Sequence, residues 1–158
     1  MKRLIWALLC ASAIAVGSAA AQDKSAEMNM QILRDKVKAD KKLLVAANME
    51  LTDAEAKGFW PVYESYQKDL QAINERLGRV IVAYADGYNN KTLTDAQAQK
   101  LASEVLAIEE SEVKFRKSYA DKLAKILPGK KAARYLQIES KIRALVRYEL
   151  AAQIPLVE

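Results

Sequence analysis

Three carboxylates, Glu109, Glu110 and Glu112, crowd one stretch of the chain. Neighbouring carboxylates serve as acid and base in hydrolysis when burial raises the pKa of one of them. Converging ones hold calcium or magnesium. Nothing else in the sequence supplies the second half of either site. The 158 residues contain no histidine, which removes the commonest general base and the commonest metal ligand. The one cysteine, Cys10, sits in an apolar N-terminal run, so the rest of the chain has neither thiolate chemistry nor disulfides. No glycine-rich phosphate loop occurs. Met28 and Met30 form an M-x-M pair whose soft sulfurs suit Cu(I), but with no histidine beside them core packing is the expectation. The glutamate cluster reads as a solvated helix face paired with Lys114 and Arg116. The expectation is no enzyme, no cofactor and no metal.

The elements around these residues begin with a leader. Lys2 and Arg3 precede an uncharged apolar run, Leu4–Val16, and Ala19 and Ala21 fit an A-x-A cleavage site before Gln22. This predicts a secretory signal peptide over 1–21, a single helical domain over 22–158 and a periplasmic location. The formal net charge of +5 is too mild to require nucleic acid. It is unevenly spread: Lys114–Arg147 holds eleven basic residues and only two acidic ones, Asp121 and Glu139.

Alanine, leucine, lysine and glutamate dominate, with 5 glycines and 3 prolines, and no stretch alternates as a strand does. The fold class is all-α. Four helices are predicted: about 26–47, 53–88, 95–126 and 130–153. Met30, Leu33, Val37 and Leu44 make the first stripe. In the second helix Phe59, Tyr63, Tyr66, Leu70, Ile73, Leu77, Val80 and Tyr84 alternate steps of four and three, a heptad seam. Leu101, Val105, Ile108, Phe115, Tyr119, Leu123 and Ile126 face inward from the third helix. Tyr135, Ile138, Ile142, Leu145 and Val146 do so from the fourth. Pro61 lies inside the second helix and predicts a kink. The two long helices make an elongated antiparallel hairpin flanked by the other two, and so thin an assembly suggests a homodimer. Acid-first pairs at i,i+4, Glu64–Lys68, Glu75–Arg79, Glu110–Lys114, Glu112–Arg116 and Asp121–Lys125, suit long exposed helices.

Two near-copies of one phrase open the long helices: LTDAE over Leu51–Glu55 and LTDAQ over Leu93–Gln97. Thr52 with Glu55, and Thr94 with Gln97, have the spacing of a capping box. Leu51 and Leu93 stand at the staple position, and Asp53 and Asp95 put negative charge on the helix N-terminus. With export, small size, helicity and basic patches, the paired phrase resembles the LTxxQ motif of the Spy/CpxP family of periplasmic chaperones and stress-response modulators. The second copy matches fully and the first ends in Glu55 in place of Gln. The resemblance implies a kinked helical hairpin acting without ATP on unfolded or envelope proteins. Relatives that bind metal do so through histidines, which this chain lacks.

Candidate client or partner contacts are Phe59, Trp60, Tyr63 and Tyr66 near the expected kink, with Lys130, Lys131 and Arg134 as a basic rim. The leading reading is an ATP-independent chaperone-like protein or envelope-stress modulator. Its alternatives are a helical adaptor docking on an envelope sensor or other envelope protein, and a peripheral protein whose basic fourth helix lies on anionic lipid. The last is not favoured, because that helix has the apolar stripe of a bundle helix.

Overall fold

The computed structural model describes residues 39–157. The expected signal peptide over 1–21 and the expected stripe residues Met30, Leu33 and Val37 lie outside the described residues, as does the M-x-M pair. The chain divides into two units at Leu44/Val45. The second, Val45–Glu158, holds the packed helices and is described by itself.

The described residues are all-α. A first helix, α1, occupies 39–49. It is followed by α2 over Asp53–Asn89, α3 over Asp95–Ala124 and α4 over Gly129–Gln153. At 37 residues α2 is about 55 Å long, at 1.5 Å per residue. It runs unbroken through Pro61, which lies beyond the first turn and so costs α2 one backbone bond. Ser65 Oγ donates to the Pro61 carbonyl at 3.0 Å. α2 and α3 form the expected hairpin, and α4 packs back on α3.

The hairpin turn is a Schellman closure. Thr92 N–H donates to Gly87 C=O at 2.9 Å and Lys91 N–H to Tyr88 C=O at 3.1 Å. Lys91 occupies the left-handed position, φ 54°, where glycine is usual. Gly87 is needed for a different reason: a Cβ there would stand 3.1 Å from Leu93 Cδ1 and 3.3 Å from its Cβ. The staple leucine of the second LT phrase therefore lies directly on the α2 backbone.

The core gathers at one part of the bundle. Phe59, Tyr63 and Tyr66 of α2 meet Tyr119 and Leu123 of α3, Leu127 of the α3–α4 turn, and Ala132 and Tyr135 of α4, with Val45 and Met49 beneath. Rings meet mostly edge to face: Tyr66 lies 5.1 Å from Tyr119 and 5.4 Å from Tyr135, and Phe59 5.1 Å from Tyr135. Each such ring contributes roughly 1.5–3 kcal/mol by burial and a further ~0.5–1.5 kcal/mol by geometry. Beyond this cluster the α2–α3 seam thins. Leu70, Ile73 and Leu77 are half-buried, while Val80 and Ile108 are buried.

Two expectations about inward faces are corrected. Leu44 is exposed, and Val45 and Met49 carry the buried positions of α1. On α4, Tyr135, Ile138 and Ile142 turn inward as predicted, but Leu145 and Val146 are exposed.

Candidate partner-binding surface

The paired LT phrases fold as capping boxes. Thr52 N–H donates to Glu55 Oε2 at 2.8 Å and Glu55 N–H to Thr52 Oγ1 at 3.3 Å. Thr94 and Gln97 repeat the exchange at 2.9 and 3.3 Å. Glu55, where the second phrase has Gln97, carries a second task. Its carboxylate also takes Lys131 Nζ at 2.6 Å, so it caps α2 and holds α4 at once. That hydrogen bond, followed by the one from the Thr52 backbone, lowers its pKa below the ordinary carboxylate value. Gln97 has no such second task among its described bonds and needs no charge.

The same corner absorbs much of the expected basic rim. Lys131 Nζ also donates to Glu50 C=O at 2.8 Å, and Arg134 reaches Asn48 C=O at 3.3 Å and the Glu50 carboxylate at 3.6 Å. Lysines near the N-terminus of α4 oppose its dipole, whereas cations beside the carbonyl end of α1 are favoured. The long side chains reach from one end to the other. Lys130 is exposed.

The expected client-binding rings are core. Phe59, Tyr63 and Tyr66 are buried, and Trp60 is half-buried against Phe59 and Tyr63 at 5.0 and 5.4 Å. Their surplus apolar surface is covered by α4, whose Tyr135 enters between them. Burial raises the phenol pKa of Tyr66 and Tyr135 well above the ordinary value and takes Tyr63 to about 12. Tyr119 also rises to about 12, from burial first and then from donating to Asp69 Oδ2 at 2.6 Å.

The glutamate cluster is split by the fold. Glu110 pairs with Lys114 at 2.6 Å on the solvated face, as predicted. Glu112 does not pair with Arg116. It is 7% exposed in the seam of α3 and receives Arg143 at 2.5 Å and Arg147 at 2.8 Å from α4. Arg147 also takes Glu109 at 3.0 Å, and Arg116 donates to Ser140 Oγ at 3.1 Å. A second buried acid, Glu139, accepts from Gln67 Nε2 at 2.8 Å, and the same amide donates to Tyr135 Oη at 3.2 Å. The sequence reading put Glu112 on a solvated face and gave Glu139 no buried role; both are buried. The available signal was position: each interrupts an apolar stripe, and Arg143 and Arg147 recur one turn apart.

The distal half of α4 is thus fastened largely by ions, with Ile142 and Leu150 half-buried and Tyr84 Oη donating to Pro155 C=O at 3.0 Å just beyond its end. Arg143 and Arg147 face α3, while Leu145 and Tyr148 are 69% and 73% exposed. On α3, Leu106 and Val113 stand one heptad apart on an outer face, 66% and 54% exposed, beside Glu109, Glu110 and Lys114. Beside the hairpin turn, a shallow depression is lined by Ala83, Gly87, Leu93 and Leu101. Among the described residues no group of three or more His, Cys, Asp or Glu is placed to hold a metal, and no helix is long and apolar enough to cross a membrane. What the surface offers is apolar contact edged by both signs of charge. No family model, curated protein or solved structure matches the chain.

Proposed function

We propose that the chain is a non-catalytic, ATP-independent binding protein that holds unfolded or partly folded protein segments, as the Spy/CpxP-like phrase pair implies, in the periplasm. The observation that carries this reading is the outer face of α3. Leu106 and Val113 are exposed there at one-heptad spacing among Glu109, Glu110 and Lys114. Scattered apolar contacts edged by both charges favour weak, sequence-tolerant binding over one tight fit. The buried rings Phe59, Tyr63 and Tyr66 belong to the core and are not contacts of this surface.

The test is titration of several unrelated, fluorescently labelled unfolded proteins with the chain and with Leu106→Asp/Val113→Asp. The reading expects weak binding to most of them, reduced severalfold by the double substitution. Binding to one folded envelope protein alone would favour the adaptor reading and contradict this one.

A further inference from the structure

Beyond Glu139, α4 departs from the usual arrangement of an amphipathic helix: Ile142 and Leu150 stay half-buried, but Leu145 and Tyr148 face outward and arginines face inward. A surface helix turns its apolar stripe to the core and its charges to water. Here Arg143 and Arg147, one turn apart, point at α3 and close on the buried Glu112. Lys141, Leu145, Tyr148 and Ala152 recur at i, i+4, i+7 and i+11, which is one stripe, and all four are exposed, with Glu149 beside them. The two arginines fix the rotation of the helix, so the stripe cannot turn inward without breaking both ion pairs.

We propose that this stripe is the interface with a second copy of the chain, formed by two α4 helices packed antiparallel about a twofold axis at Leu145. Charge complementarity selects this occupant. In an antiparallel pair centred on Leu145, the residue four places before the centre meets the residue four places after it on the other helix. Lys141 then faces Glu149 of the partner subunit, and the symmetry makes the contact twice. Leu145 meets its own copy, and Tyr148 lies over the partner's small and aliphatic positions near the axis. Ala144 and Ala152 leave room for close approach of the helices. A lipid surface would meet Glu149 with a repelled charge, whereas a second copy meets it with a lysine. One helix pair of this length buries on the order of 1,000 Å², the lower end of specific interfaces, so the dimer is a reversible one. The proposal concerns a different face from the α3 surface above and does not depend on it.

The test is sedimentation velocity of the full chain over roughly a hundredfold range of concentration, alone and as Lys141→Glu, Glu149→Lys and the double reversal. Lys125→Glu, on an exposed residue of the α3–α4 turn, controls for net charge. Circular dichroism checks that each variant folds. Each single reversal is expected to weaken the dimer about tenfold or more, because both symmetric pairs become repulsive. The double reversal restores it to within about threefold, and Lys125→Glu leaves it unchanged. A chain that stays monomeric throughout would overturn the proposal, leaving the stripe to another occupant. So would a dimer that Lys141→Glu does not weaken, or that the double reversal does not restore.

Discussion

Glu112→Gln is the most informative single change, because it keeps the shape of the side chain and removes only its charge. The carboxylate is buried and holds two guanidiniums, at 2.5 and 2.8 Å. Breaking a fully buried pair by deleting one partner costs roughly 3–5 kcal/mol. Here the arginine side chains are 31% and 46% exposed, and Arg147 keeps Glu109. Both can turn toward water, and the amide of glutamine still accepts one hydrogen bond. The expected loss is therefore about 1–2 kcal/mol. For a domain of this size that lowers Tm by about 4–8 °C in a thermal melt. Glu112→Leu should cost at least as much, because both arginines then lose their acceptor as well as the charge. It should also free α4. Hydrogen exchange over 141–153 is expected to rise in both variants, with 59–66 unchanged. A melt for Glu112→Gln within about 1 °C of the native chain, with unchanged exchange over 141–153, would refute the view that ions hold this part of α4.

Four further outcomes follow from the geometry. Thr52→Ala and Thr94→Ala should each lose about 1 kcal/mol in urea unfolding, since each deletes one half of an observed capping box; no change at either would contradict the caps. Gly78→Ala should raise stability by about 0.5–1 kcal/mol, because nothing lies within 4 Å of its Cβ position in mid-α2. Gly87→Ala should gain nothing or lose, because Leu93 stands 3.1 Å away. Tyrosinate absorbance should show Tyr63 and Tyr119 ionising near pH 12, displaced from the ordinary phenol value near 10. A raised phenol pKa stabilises the fold below about pH 10 and loses that contribution as pH climbs toward 12, so alkaline unfolding should begin in that window; four buried rings titrating near 10 in a folded chain would contradict the aromatic core.

What could be read from the sequence was local. A capping box needs residues three apart, so Thr52–Glu55 and Thr94–Gln97 were visible, and the steps of four and three in α2 located Phe59, Tyr63 and Tyr66 on the inner face. The rest depended on partners far along the chain. Glu112 sits beside Glu109 and Glu110 in sequence, yet its partners are Arg143 and Arg147, residues of another helix. A 3.6-residue period cannot distinguish a stripe that turns inward from one held outward by such a pair, which is why Leu145 and Val146 were misplaced. The aromatic surplus near Pro61 suggested an open surface because the ring that covers it, Tyr135, comes from α4. Likewise Lys131 and Arg134 resembled a free rim until the fold brought them to Glu55 and Glu50.

The central claim, a binding protein for unfolded chains, is tested most directly by following the aggregation of several unrelated denatured proteins by light scattering, without ATP, with the native chain and with Leu106→Asp/Val113→Asp. The account predicts suppression across unrelated clients and a severalfold loss of it in the double variant. Undiminished aggregation of every client at several-fold excess of the native chain would contradict it.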